Sequence, residues 1–144
     1  MLKIKNLVKN FSTLPILKGI DLELQKGEIL SILGSSGGGK STLLRIIAQL
    51  EKASSYEYYE CKAKVAMMFQ NYALFPHLNV ANNILFALYD LPKKEQSKKL
   101  DELLNTFEIF NLKDKKIDEI SGGQAQRVAF ASAMARGCDL LLPD

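Results

Sequence analysis

The chain has 144 residues, of which 47% are hydrophobic, so it can bury one sizeable core and does not have the composition of a disordered protein. Its net charge of +3 is too small to argue for a nucleic-acid partner, and we expect no direct binding of nucleic acid. Cys61 and Cys138 fit no metal or redox spacing and are too few for a disulfide framework, which favours a reducing, cytosolic compartment.

Three strands are predicted in the first part of the chain. Residues 2–8 and 20–24 alternate apolar and polar side chains, which is typical of half-exposed strands. Residues 28–33 are denser in apolar side chains, and we expect a strand that is covered on both faces in a parallel sheet. This third strand would lead the chain into a glycine-rich stretch.

The glycine-rich stretch fits the pattern G-x-x-x-x-G-K-S/T and precedes a helix-like run. Glycines let successive backbone N–H groups point at one anion, and the helix that follows adds its positive end. Lys40 would reach the outer phosphates, and the Ser41 hydroxyl would hold Mg²⁺. A glycine loop without a ligand is the alternative, and the pattern alone does not separate kinases, GTPases, motors and transporter ATPases. The residues expected to hold a nucleotide here are Gly34, Ser35, Ser36, Gly37, Gly38, Gly39, Lys40, Ser41 and Thr42.

The next elements are a helix and two strands. Apolar residues at helical spacing predict a helix over residues 41–50. Residues 54–60 indicate a surface strand or turn, and residues 64–69 indicate a second buried strand. Gln70 follows at the C-terminal end of that strand, which is where ligands bind in open parallel sheets.

A helical insertion follows. Residues 80–88 and 93–110 predict two helices that are separated by Pro92. No apolar run approaches the roughly 18 residues that span a bilayer, so a membrane role requires a partner. We place the core of the domain in residues 1–70 and 121–144, and the helical part in residues 71–120.

Ser121, Gly122, Gly123 and Gln124 begin another helical run. Serine is a natural N-cap, and two glycines at a helix start expose backbone N–H groups to a second anion. An ordinary Ser-Gly-Gly turn before a helix is the alternative.

The last residues form an apolar run, 140–142, followed by Pro143 and Asp144. A carboxylate at the end of a strand suits Mg²⁺ binding. Because Pro143 lacks a backbone donor and termini fray, we expect this segment to be poorly held.

These motifs occur in one order, with Ser121 lying 81 residues after Lys40 and 23 before Asp144. Together they resemble the ATP-binding subunits of ABC transporters over the whole chain, whereas kinases and GTPases lack the Ser-Gly-Gly-Gln element. The resemblance implies an α/β P-loop NTPase fold. It would have a mainly parallel core sheet, N-terminal antiparallel strands and an inserted helical subdomain, and it would be incomplete at the C-terminus. The segment between Leu50 and Val65 is shorter than is usual in the family, so we expect the antiparallel hairpin there to be shortened.

The resemblance also implies roles for individual residues. Lys40, Gln70 and Ser121 would be catalytic, and Mg²⁺ would be held by Ser41, Gln70 and Asp144. ATP would contact residues 34–41, which correspond to the Walker A loop of the family, and the signature motif, which comprises Ser121, Gly122, Gly123 and Gln124.

Phe11 and His77 are compared with the family one by one, and three family elements do not occur. Phe11 falls where the family places an aromatic residue against adenine, with a core phenylalanine as an equal alternative. His77 does not match the family's switch histidine, and we expect a surface or interface histidine. The catalytic glutamate, the D-loop and the switch histidine of the family are absent from the chain.

Residues 70–78 resemble bacterial importers for ferric iron, polyamines, sulfate or sugars. The implied function couples ATP binding and hydrolysis to solute import at the cytoplasmic face of the inner membrane. The implied partners are a second ATPase subunit packed head to tail, transmembrane permease subunits and an extracytoplasmic solute-binding protein. We expect the chain to be a truncated piece with little turnover of its own. A nucleotide-binding module without turnover and a soluble ABC protein outside transport are the alternatives.

Overall fold

The N-terminal strands form an antiparallel hairpin in the computed structural model, which describes residues 1–144. Strand β1 (Leu2–Phe11) pairs with strand β2 (Leu14–Leu24) along its whole length. The two alternating stretches are therefore confirmed as strands, and both strands are longer than predicted. The inward side chains of the hairpin that are buried are Leu2, Ile4, Leu7, Leu17 and Leu24.

Three shorter strands complete the two sheets. β3 (Tyr58–Cys61) pairs antiparallel with the other side of β1, which gives the order β2-β1-β3. Three residues, 62–64, connect β3 to β4 (Val65–Met68), and these two strands lie in different sheets. β4 pairs with β5 (Leu140–Pro143) in a sheet of two strands. The strands predicted at 64–69 and 140–142 are confirmed.

The strand predicted over residues 28–33 is not formed. This segment has no regular secondary structure, and Ile29 and Leu33 are 96% and 90% exposed. Neither sheet contains a strand from it. An extended segment without a neighbouring strand has no ladder hydrogen bonds and no covered face. The prediction from apolar density was wrong because it presupposed strands on both sides, and the second sheet contains only β4 and β5.

The C-terminal segment is held, contrary to expectation. Leu140 and Leu142 are 6% and 5% exposed, and β5 pairs with β4. Pro143 ends β5, which has only one neighbouring strand, and proline is tolerated on such edge strands. Apolar burial therefore outweighs the missing backbone donor.

The first compact unit comprises residues 1–67, 138–142 and 144. Helix α1 (Lys40–Ile47) lies in it and confirms the helix predicted over residues 41–50. Four apolar side chains of α1 join the buried residues of the hairpin and of β5 in one core, and these are Leu43, Leu44, Ile46 and Ile47.

The second compact unit comprises residues 68–137 and 143, and it is helical. Its helices are α2 (Val80–Phe86), α3 (Lys93–Thr106) and α4 (Gly122–Met134), with short 3-10 turns at Phe110–Leu112 and Ile117–Glu119. None of these helices is long and apolar enough to cross a bilayer.

Helix α4 packs inside the helical unit rather than with the strands. Val128, Ala131 and Ala135 of this part of the chain belong to the same buried cluster as Val80 and Ile84 of α2. The helical unit is therefore wider than the 71–120 range expected from the sequence, because the apolar face of α4 is buried against α2.

Candidate functional site

The phosphate loop ends where α1 begins. Gly39 precedes the helix with a φ of 84°, and no side chain caps the helix start. Lys40 donates from Nζ to the carbonyl oxygens of Gly34 at 2.9 Å and Ser35 at 2.7 Å. The lysine thus closes the loop upon itself, and the first-turn N–H groups of α1 have no side-chain partner.

Gly39 is fixed against strand β2. A Cβ atom at this position would lie 2.8 Å from Cδ2 of Leu17 and 3.0 Å from Cγ2 of Ile16. A side chain is excluded both by this close approach and by the left-handed backbone. Residues 34–38 of the loop are exposed, so the loop is anchored at its helix end and open elsewhere.

Ser41 and Asp144 meet directly beneath this loop. The Ser41 Oγ donates a 2.6 Å hydrogen bond to Oδ1 of Asp144, which follows the last residue of β5. A hydroxyl and a carboxylate form the oxygen donor set that Mg²⁺ prefers. The chain contains no cluster of three His, Cys, Asp or Glu residues that could hold a metal, so phosphate and water oxygens would complete the coordination.

The second glycine-containing helix start is closed by its own side chains. Gln124 donates its backbone N–H to Oγ of Ser121 at 3.3 Å, and its side-chain oxygen accepts from the backbone N–H of Ser121 at 2.9 Å. These two bonds are a capping box. Ser121, Gly122 and Gly123 are all exposed.

The expected site residues divide between the two compact units. The phosphate loop, Ser41 and Asp144 lie in the first unit, whereas Gln70 and the Ser121–Gln124 turn lie in the helical unit. Gln70 is exposed and begins a turn directly after β4. The structure thus brings Ser41 and Asp144 together within one unit.

The two aromatic candidates are both at the surface. Phe11 is 47% exposed, which excludes the alternative of a fully buried core phenylalanine. His77 is exposed, and its ring meets Phe75 edge-on with 5.8 Å between ring centroids. A surface histidine is what the sequence predicted.

Sequence reasoning missed two buried polar residues. Asn83 is 4% exposed, and its amide bonds the backbone N–H and carbonyl of Phe75 and the carbonyl of Leu78, which organises the turn after Gln70. Lys9 is 8% exposed and bonds Glu51. For Asn83 a signal was available, since it interrupts the apolar face of α2 that Val80 and Ile84 form. For Lys9 none was, because the buried face of β1 changes phase at a register shift between Ile4 and Leu7.

Comparison with known proteins places these features in a family. The model of the family described as "ABC transporter" matches residues 17–144. A Fe(3+) ions import ATP-binding protein from Vibrio cholerae is 36% identical over 153 residues, covering 98% of this chain and 44% of that protein. A sulfate/thiosulfate import ATP-binding protein from Shewanella oneidensis is 37% identical over 159 residues, covering 99% of this chain and 42% of that protein. The chain thus spans less than half the length of these relatives.

A solved structure shares the fold. It is an ATP-binding cassette captured as a dimer in a post-hydrolysis state with ADP and Pi. It superposes with a TM-score of 0.85 at 29% identity, covering all of this chain and 73% of that one. The fold is that of a P-loop NTPase cassette, and the chain belongs to the ABC transporter family.

Proposed function

We propose that this chain binds ATP with Mg²⁺ and is the ATP-binding part of an import ATPase, forming most of one ABC ATP-binding domain. One observation carries the proposal. The uncapped start of α1, the Lys40 ammonium and the Ser41–Asp144 pair converge on one loop. Each is suited to a phosphate or to its metal counter-ion, and no other place in the first unit combines them.

Phosphate binding follows from the chemistry of the loop. A phosphate oxygen accepts from the first-turn N–H groups of α1 and so supplies the helix cap that the chain lacks. Lys40 exchanges its two carbonyl partners for phosphate oxygens, and hydrogen bonds between charged groups are stronger than the bonds they replace.

Mg²⁺ would be held by Ser41 and Asp144 of the first unit. Bound Mg²⁺ neutralises charge on the phosphates and orients them for attack by water. The chain's own part is to present the Ser41 hydroxyl and the Asp144 carboxylate in contact, at the C-terminal end of β5.

The Ser121–Gln124 turn provides one half of a composite nucleotide site, and the phosphate loop of a second subunit provides the other half. Ser121 and the N–H groups of Gly122 and Gly123 are exposed and form the positive start of α4. A second copy or a paired subunit, packed head to tail, would direct this turn at the outer phosphate held by Lys40. This arrangement fits the dimeric state of the solved cassette bound to ADP and Pi.

The import assignment rests on the relatives, which are named as import ATP-binding proteins for iron and for sulfate or thiosulfate. We therefore propose transmembrane permease subunits as partners, with a solute-binding protein outside the membrane. The protein would act at the cytoplasmic face of the inner membrane. A role outside transport is less favoured, because both curated relatives serve import.

Titration calorimetry of the purified protein with ATP, in magnesium and then in EDTA, tests the nucleotide site. We expect Mg²⁺ to raise the affinity for ATP. In magnesium, Asp144→Asn should bind ATP about tenfold more weakly than wild type, since one charged ligand is lost. Asp114→Asn, an exposed aspartate of the helical unit, is the matched control and should leave affinity unchanged. If the protein binds no ATP at millimolar concentration, neither in magnesium nor in EDTA, the proposal is refuted.

A further inference from the structure

Lys9 is the one charged residue of the chain that is buried, with 8% of its surface exposed. Its Nζ donates to Oε1 of Glu51 at 2.6 Å and to the carbonyl oxygen of Lys52 at 2.7 Å. Lysine is almost never fully buried unless it is paired, and Glu51 is the charged partner of Lys9. The hydrogen bond from Lys9 lowers the pKa of the Glu51 carboxyl below its ordinary value, which keeps the pair charged.

The same ammonium lies beneath an aromatic ring. The Lys9 Nζ is 4.6 Å from the centroid of Phe11, which is within the range of a cation–π interaction. An ammonium group has three N–H donors, and Glu51 and Lys52 take two of them. The third can therefore face the ring, while 47% of Phe11 remains open to solvent.

This ring lies close to the phosphate loop along the hairpin. Lys9 pairs with Leu17 across β1 and β2, and Leu17 is the residue that a Cβ atom at Gly39 would strike. Phe11 is two residues further along β1, a distance of about 7 Å along a strand. The open aromatic ring is thus carried by the same hairpin that contacts Gly39, the last residue of the phosphate loop before α1.

The ion pair also ties the two parts of the site together. Glu51 follows the C-terminal end of α1, the helix whose first residue is Lys40. Hydrogen bonds continue this attachment, since the N–H of Val8 donates to the carbonyl of Ser55 at 2.9 Å and the N–H of Asn10 donates to Oγ of Ser54 at 3.0 Å. The strand that carries Phe11 is therefore fixed to the segment that leaves the phosphate-binding helix.

We propose that Lys9, held by Glu51, is a positioning residue for the base of the nucleotide, because it fixes the Phe11 ring as a stacking platform beside the phosphate loop. The inference rests on the proposed ATP site. A cation on one face of the ring draws electron density from the other face, and a heteroaromatic base stacks there. Lys9 does not contact the phosphates in this arrangement, so its effect is confined to ligands that carry a base.

The test compares two ligands that differ by the nucleoside. Titration calorimetry measures the affinity of the purified protein for ATP and for inorganic tripolyphosphate. Lys9→Met should weaken ATP by about three- to tenfold, the loss expected for one stacking or cation–π contact, and leave tripolyphosphate within about twofold. Lys9→Arg retains the cation and should recover most of the ATP affinity.

A double-mutant cycle establishes whether Lys9 acts through Phe11. Phe11→Ala should produce the same ATP-specific loss, and adding Lys9→Met to Phe11→Ala should then have no further effect. If Lys9→Met does not fold, Glu51→Gln replaces it in the cycle, with a smaller ATP-specific loss expected because Lys9 keeps its carbonyl partner.

Three results would overturn the inference. Equal loss of ATP and tripolyphosphate would make Lys9 a purely structural residue. Additive losses in the double variant would show that Lys9 acts independently of Phe11. Failure of the wild-type protein to bind either ligand would refute the phosphate site itself, and this outcome is distinct because it does not depend on any variant.

Discussion

Two helices of this chain begin at glycine-containing turns, and they differ in whether a side chain caps the backbone N–H groups of the first turn. Helix α1 starts behind Gly39 with no side-chain cap, whereas α4 starts at Ser121 with both hydrogen bonds of a capping box. The first N–H groups of any helix lack partners within the helix. In α1 they are left for an external anion, and in α4 the N–H of Gln124 is already bonded to the serine.

The difference assigns distinct tasks to the two turns. The start of α1 is incomplete without a ligand, so binding an anion there satisfies groups that the fold leaves unpaired. The start of α4 is complete by itself and offers only the serine proton and two glycine N–H groups. Affinity should therefore reside at α1, and α4 should contribute a positioned second contact.

Lys40→Ala should cause the largest loss of ATP affinity. The substitution removes at least one charge-assisted hydrogen bond to phosphate, worth about 1.5–3 kcal/mol, so ATP affinity should fall by at least about tenfold to a hundredfold. Calorimetric titration with ATP provides the measurement. Lys26→Ala, at an exposed loop lysine of the same unit, is the control. Equal affinity of the Lys40 variant and wild type would contradict a phosphate site at α1.

Gly39→Ala should have the next largest effect on ATP affinity, and it should also lower stability. The left-handed backbone costs about 1–2 kcal/mol for a residue with a side chain, and crowding against Leu17 adds about 1–3 kcal/mol. We expect a lower thermal unfolding midpoint together with weaker ATP binding.

Gly34→Ala is the matched control for stability, because a Cβ atom there meets nothing within 4 Å. If both alanine variants unfold at the wild-type temperature, the packing of Gly39 on β2 does not hold the loop.

Ser121→Ala should lower stability by about 1 kcal/mol, which is typical for loss of an N-cap, without changing ATP affinity at α1. Ser121→Asn should retain the cap, because asparagine is an equally good capping residue. Denaturant unfolding of the two variants separates these outcomes. A stable alanine variant would show that the 3.3 Å bond from Gln124 to Ser121 contributes nothing.

Elements whose signal is local could be predicted from the sequence. The alternation of residues 2–8 and the helical spacing of residues 41–50 gave β1 and α1, because burial of one face follows directly from each period. Glycine, lysine and serine at fixed spacing likewise located the phosphate loop, since its geometry depends on backbone N–H groups of neighbouring residues.

Features that depend on distant parts of the chain could not be predicted in this way. Residues 28–33 have the composition of a buried strand, but a strand also needs a neighbour, and composition does not contain that information. The pairing of Lys9 with Glu51 joins residues 42 positions apart, so no local period reveals it. The assignment of α4 to the helical unit likewise depends on packing against α2.

The smallest expected effect concerns the segment after α1, where the charges of Lys9 and Glu51 pair with each other. The Glu51 pKa is lowered, first because its side chain accepts a hydrogen bond from Lys9, so the folded state favours the ionised carboxylate. A lowered pKa contributes stability above the carboxyl's ordinary value, and this contribution is lost as the pH falls through the folded value. The stability difference between wild type and Glu51→Gln should therefore be largest near neutral pH and shrink in acid.

Denaturant unfolding of both proteins at about pH 7 and about pH 3 measures this difference. Glu102→Gln, at an exposed glutamate of α3, is the control and should show no such dependence. A Glu51→Gln difference that stays constant with pH would mean that the pair stabilises the fold through packing rather than charge. The contrast between a helix start that binds an external anion and a following segment that is held by an internal ion pair would then not hold.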